Sequence, residues 1–124
     1  MKKFLVAIPF VAAAFPAQAT PAYLSCSYNR GDGVVVSLSI VADENSQILT
    51  VTNEKNGNTK QYTAVFSPSD VRWVEVMGSG SAKTQNQINR TDLSFRTKTL
   101  SFDGSVIADQ GGSCQVQQAP NRAF

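Results

Sequence analysis

Two cysteines, nine carboxylates and one lysine-tipped Gly/Ser stretch are the residues of this 124-residue chain whose types and spacing could do chemistry. Histidine is missing, which removes the usual general base, the usual zinc ligand and the Ser–His and Cys–His nucleophile pairs. Cys26 and Cys114 lack the close spacing of a redox or metal pair. Most acids stand at turns, namely Asp32, Asp43, Glu44, Glu54, Asp70, Asp92, Asp103 and Asp109, where a carboxylate ordinarily accepts backbone N–H bonds. Only Glu75 sits in mid-strand, beside Trp73. A paired-carboxylate hydrolase is the one enzyme class left open, and no catalytic residue is assigned. Asp103-Gly104 with Asp109-Gln110-Gly111-Gly112 offers oxygen ligands but lacks the alternating acids and closing Glu of an EF-hand loop. The chain is read as non-enzymatic, with no metal and no cofactor expected.

The stretch Gly78-Ser79-Gly80-Ser81-Ala82-Lys83 is small, flexible and polar, and ends in a cation directly after an apolar run. Residues 71–98 carry Arg72, Lys83, Arg90, Arg96 and Lys98 against Glu75 and Asp92. A protruding loop with one lysine suits an acidic cleft on a partner, where a desolvated charge pair is strong.

The N-terminus sets the compartment. Met1-Lys2-Lys3 is basic, residues 4–15 are nearly all apolar, and Ala17-Gln18-Ala19 is a small-x-small cleavage pattern. The apolar run is shorter than the roughly 18–20 residues needed to span a bilayer, so 1–19 reads as a signal peptide and 20–124 as one exported domain, periplasmic or secreted. Lys2 and Lys3 leave with the leader, turning 11 cations against 9 acids into 9 against 9. No nucleic-acid partner and no membrane span are implied. In an oxidising compartment the two cysteines are expected to pair, for about 4–5 kcal/mol of loop-closure entropy.

The elements that must position these residues read as strands. Val34, Val36, Leu38 and Ile40 alternate with serines over 34–41. Segments 47–53 and 59–66 flank an Asn-Gly hairpin signal at Asn56-Gly57. Further strands are expected at 71–77, 85–90, 93–97, 99–103 and 114–117. Ser67-Pro68-Ser69-Asp70 carries helix-start residues, but the β-branched residues that follow favour a turn. Phe66, Tyr62, Trp73, Phe95 and Phe102 are expected in the core. The fold class is all-β, a small antiparallel barrel or sandwich of about seven to eight strands closed by Cys26–Cys114.

Two resemblances meet on these residues. Ser79-Gly80-Ser81-Ala82-Lys83-Thr84, Arg96-Thr97-Lys98-Thr99 and the two-Cys layout resemble the periplasmic inhibitors of C-type lysozyme. Those are small exported β-barrels whose Ser-Gly-Ser-Gly-Ala-Lys-Tyr loop inserts into the lysozyme active site. Here the loop has one glycine fewer, and Thr84 stands at the tyrosine. The resemblance implies a partner-binding set of Ser79, Ser81, Lys83 and Lys98, with Ser81 and Lys83 facing the lysozyme's acids and Lys98 supporting them. Phe66-Ser67-Pro68, Val71-x-Trp73, Ile88-Asn89-Arg90, Leu93-x-Phe95 and Gly112-Ser113-Cys114 resemble short exported bacterial β-proteins of unassigned role. The function expected is an exported binding protein, with inhibition of a lysozyme-like enzyme as its sharpest form. The alternative is an envelope-associated structural or ligand-binding module. An inhibitor predicts a basic protruding loop at 78–83, a carrier an internal apolar cavity, and a hydrolase two convergent carboxylates.

Overall fold

The structure is a computed structural model that describes residues 21–78 and 80–118; residues 1–20 (which include the expected signal peptide), Ser79 and residues 119–124 lie outside the described residues. Period-two alternation builds nine strands: β1 (Ala22–Asn29), β2 (Val35–Asp43), β3 (Ile48–Asn53), β4 (Thr59–Thr63), β5 (Val65–Phe66), β6 (Asp70–Met77), β7 (Ala82–Asn89), β8 (Ser94–Ser101) and β9 (Val106–Gln117). They form one sheet in the order β4-β3-β2-β1-β9-β8-β7-β6-β5, every neighbour antiparallel. The two edges, β4 and β5, are joined through the single residue Ala64, so the sheet curls into a nearly closed up-and-down barrel. The architecture is the barrel, not the sandwich.

Nine strands stand where seven or eight were expected, because β1 is added, the 59–66 run breaks at Ala64, and two expected segments merge into β8. The Ala64 N–H donates to the Gln47 carbonyl at 2.9 Å, while β5 turns away to pair with β6. Alanine is small enough for the buried crossing point. Strand β1 is not among the expected strands, although Leu24, Cys26 and Tyr28 alternate with Ser25 and Ser27 in the same period of two as β2. Segments 93–97 and 99–103 are not two strands; the run through Lys98 is continuous as β8. Phe102, expected in the core, is 85% exposed, because it falls in the β8–β9 turn where alternation has ended. Strand β9 starts well before 114, with Gly111 and Gly112 inside it rather than in a turn. A Cβ on Gly112 would lie 1.9 Å from the Ser27 carbonyl oxygen, so only glycine lets β9 pass β1 at this point. The helix-start residues at 67–70 form a turn in which the Ser67 hydroxyl accepts the Asp70 N–H and donates to the Asp70 carboxylate. Among the described residues no helix is long and apolar enough to cross a membrane.

The strand directions give the barrel two unlike ends. Turns 44–47, 67–69 and 90–93 and both ends of the described chain lie at one end; turns 30–34, 54–58, 78–81 and 102–105 lie at the other. The first end is closed. Leu24, Ile40, Ala42, Leu49, Ala64, Val71 and Ile88 fill it, Leu49 at 0% exposure. The Cys26–Cys114 disulfide joins directly paired residues of β1 and β9. Arg90 fastens the turns there, reaching Glu44 at 3.0 Å and the Ser67 carbonyl at 2.9 Å. Along β2 the inward row goes from half-buried Val36 and Leu38 to Ile40 at 1%; Ser39 is exposed as alternation requires, while Ser37 is half-buried like its neighbours.

Candidate functional site

The interior changes character half-way along the barrel. Above Trp73 and Phe95 the lumen opens into a cavity of about 470 Å³. Its floor is aromatic: the Phe95 ring lies 5.6 Å from Tyr28 and 6.2 Å from Trp73, centroid to centroid. Such tilted ring contacts hold large apolar surfaces in place.

Strand alternation then places polar side chains inward. Strand β6 directs Trp73, Glu75 and Met77 to the lumen, β7 Thr84 and Asn86, and β8 Thr97 and Thr99. The Thr84 hydroxyl contacts the Met77 sulfur at 3.2 Å and Thr99 Oγ1 at 3.1 Å. Asn86 and Thr97, 7% and 6% exposed, make no side-chain hydrogen bond among the described residues. A buried amide or hydroxyl left unpaired costs about 1–3 kcal/mol, so these groups require a polar partner from whatever fills the lumen.

Tyr62 and Glu75 span the seam between β4 and β6, which no backbone ladder closes. The Tyr62 hydroxyl donates to Glu75 Oε2 at 2.8 Å. Burial, and then this hydrogen bond to a carboxylate, push the Tyr62 pKa well above its ordinary value. Burial likewise raises Tyr28, with the Glu75 charge adding to it. Both phenols therefore stay protonated at neutral pH. Glu75 is the only carboxylate among the described residues lining the cavity, so a convergent acid pair is not assembled there. Among the described residues no three His, Cys, Asp or Glu side chains are grouped to hold a metal ion. At the rim, Arg30 is paired with Asp32 at 2.8 Å, and Gln110 Nε2 donates to the Arg30 carbonyl.

The residues singled out in the sequence lie at the rim and on the outer wall. Ser79 lies outside the described residues. Ser81 is exposed in the β6–β7 turn, which is short: Met77 pairs with Ala82, and the Gly80 N–H donates to the Met77 carbonyl at 2.9 Å. Lys83 stands in β7, not in the loop, because the strand begins at Ala82. It is exposed on the outer face, and no ion pair involves it among the described residues. Lys98 shares that face one strand over: Lys83 pairs with Leu100, and Lys98 with Gln85. Lys98 also faces Asp109 and adds to the lowering of its pKa, behind the hydrogen bonds from Arg96 at 2.8 and 3.0 Å. Lys83 and Lys98 are thus brought together and Ser81 stands near them, on a rim rather than on a protruding arm. Asp103 stays in its own turn, held by the Ser101 and Ser105 hydroxyls.

The cavity wall is not assigned as a site in the sequence. Tyr62, Trp73 and Phe95 read as core, nothing marks Tyr28 or Asn86, and Thr97 enters only through the Arg96-Thr97-Lys98-Thr99 motif. A signal was present: 82–89 (AKTQNQIN) is polar at both parities except at Ala82 and Ile88, which says that neither face of that stretch is dry along its length. Compared with known proteins, the chain matches no family model, no curated protein and no solved structure.

Proposed function

We propose that this is an exported, non-enzymatic binding protein that holds a small ligand in the open half of its barrel. The observation that carries this reading is the pair of buried, unpartnered polar side chains, Asn86 and Thr97, set above an aromatic floor. The cavity volume, about 470 Å³, falls in the roughly 300–1,000 Å³ range of small-molecule sites. A barrel of about eight walls is the size that holds one small ligand. The disulfide is compatible with an oxidising, extracellular setting, and the leader at 1–19 directs the chain to the periplasm or beyond.

Trp73 is the single tryptophan of the chain and lines the cavity, so its fluorescence reports on occupancy. Titration of the mature protein with fractionated small molecules from cell-envelope extract, with native mass spectrometry beside it, should give a saturable change and a matching mass increment. A Trp73 signal unaffected by every fraction removes this reading.

A second reading rests on Lys83. An exposed cation without an ion pair, near Lys98 and the β6–β7 turn, suits an acidic cleft on a protein such as a C-type lysozyme. Clearing of a cell-wall suspension by lysozyme should slow in the presence of micromolar mature protein. Unslowed clearing leaves the cavity as the sole proposed site.

A further inference from the structure

We propose that the ligand of this cavity is a small organic cation, an amine or quaternary ammonium with an apolar body, whose charged head lies against Glu75 and whose body lies on Trp73 and Phe95. This rests on the reading of the cavity as a binding site. The first ground is an inversion in β6. At its open end Glu75 turns inward while Val74 and Val76, 48% and 69% exposed, face solvent. A strand that puts its acid in the lumen and its valines outside breaks the usual pattern, and such breaks concentrate at functional sites.

The second ground is charge. Glu75 forms no salt bridge among the described residues. The lining cation Arg30 is engaged by Asp32, and Lys60 is exposed at the mouth. A partly desolvated carboxylate with one hydrogen-bond donor and no cation paired to it favours a ligand that brings the opposite charge into contact. A bound anion lying on Trp73 and Phe95 would meet the Glu75 charge, and a neutral molecule there would leave Glu75 without an ion partner, since Lys60 stands out at the mouth. The third ground is the aromatic surround. Tyr28, Tyr62, Trp73 and Phe95 all line the same cavity as Glu75, and aromatic faces attract ammonium groups. Because Tyr28 and Tyr62 stay protonated, both present neutral rings and the charge is left to Glu75.

The test uses one aromatic body with three heads: phenethylamine, 2-phenylethanol and 3-phenylpropionate, together with benzyltrimethylammonium. Each is titrated against mature protein by Trp73 fluorescence and calorimetry. Both cations should bind at least about tenfold more tightly than the alcohol, and the carboxylate most weakly. Glu75→Gln should erase the preference for cations over the alcohol, while Tyr62→Phe, which keeps the carboxylate, should retain it. If Glu75→Gln fails to fold, the ratio on the unmodified protein decides. Equal binding of amine and alcohol, or tighter binding of the carboxylate, overturns the cation assignment and leaves the cavity reading standing. No Trp73 response to either cation also overturns it, and the cavity reading then stands or falls on the envelope fractions.

Discussion

The closed half of the barrel and the open half are built by the same strands and obey the same alternation, yet they hold opposite chemistry. Followed toward the open end, the inward residues of β6 run Val71, Trp73, Glu75, those of β7 run Ile88, Asn86, Thr84, and those of β8 run Phe95, Thr97, Thr99. Strands β7 and β8 pass from apolar to polar at about the level of the Trp73–Phe95 contact, β6 does so at Glu75 before ending on Met77, and Val36, Leu38 and Val51 keep the facing wall apolar. The turns differ in the same sense. Arg90 ties together three turns at the closed end, whereas Arg30 at the open end pairs within its own turn. The apolar packing, the disulfide and the Arg90 ties are concentrated at one end, and the other exposes polar groups to the lumen.

The comparison breaks most sharply at the disulfide. It closes a separation of 88 residues, worth about 4–5 kcal/mol in the chain-entropy model. Reduction should lower the denaturant midpoint accordingly, and alkylation of the non-reduced protein should find no free thiol. Leu49→Ala, in the same half and fully buried, should cost about 2–5 kcal/mol. Ligand affinity of the fraction still folded should not change. A variant at Leu49 that folds normally but loses ligand would show that the two halves are not separable.

The opposite sign is expected above the aromatic floor. Asn86 is buried without a hydrogen-bond partner, so Asn86→Leu should raise stability by about 1 kcal/mol and abolish ligand binding. Loss of stability instead would mean that the amide already satisfies itself within the wall.

How far the sequence exposes this division follows from what each half needs. The closed half needs apolar residues at period two and a cysteine pair, and Ile40, Val71 and Phe95 announce themselves in that way. The all-β class, the disulfide and most hairpins were therefore legible. The barrel closure was not, because it depends on a break at one alanine that local propensity does not mark. The site was not either: Thr84, Asn86 and Thr97 look like surface residues until a closed sheet turns them inward. Lys83 drew attention by its neighbours in sequence, and the structure moves it from loop to strand.

The pH profile should separate the regions again. Asp32, Asp70, Asp92, Asp109 and Glu44 are held below their ordinary values by hydrogen bonds and ion pairs on the outer surface, and Asp103 is lowered to about 2 by Ser101 and Ser105. A depressed folded-state pKa contributes stability above the unfolded value, lost as pH falls, so an acid limb is expected between roughly pH 4 and 2. Tyr28 and Tyr62 are raised from 10.0. Their contribution is complete below that pH and is lost above it, because the unfolded chain ionises first. The alkaline limb thus belongs to the cavity. Tyr62→Phe should flatten it and leave the acid limb unchanged, as thermal melts across the pH range would show.

The smallest effect is expected at Lys83. Its side chain lies outside the barrel wall, on the face opposite the lumen, without an ion pair among the described residues. Lys83→Ala should alter stability by no more than about 0.5 kcal/mol. It should also leave the Trp73-reported affinity for a cavity ligand within about twofold, since a solvated charge across the wall acts weakly on the lumen. If a lysozyme-like partner binds this face, the same change should cost that complex about 2 kcal/mol or more and flatten its salt dependence. One variant therefore separates the wall from the lumen. A large loss of cavity ligand on Lys83→Ala would mean that the outer face and the interior act as one site.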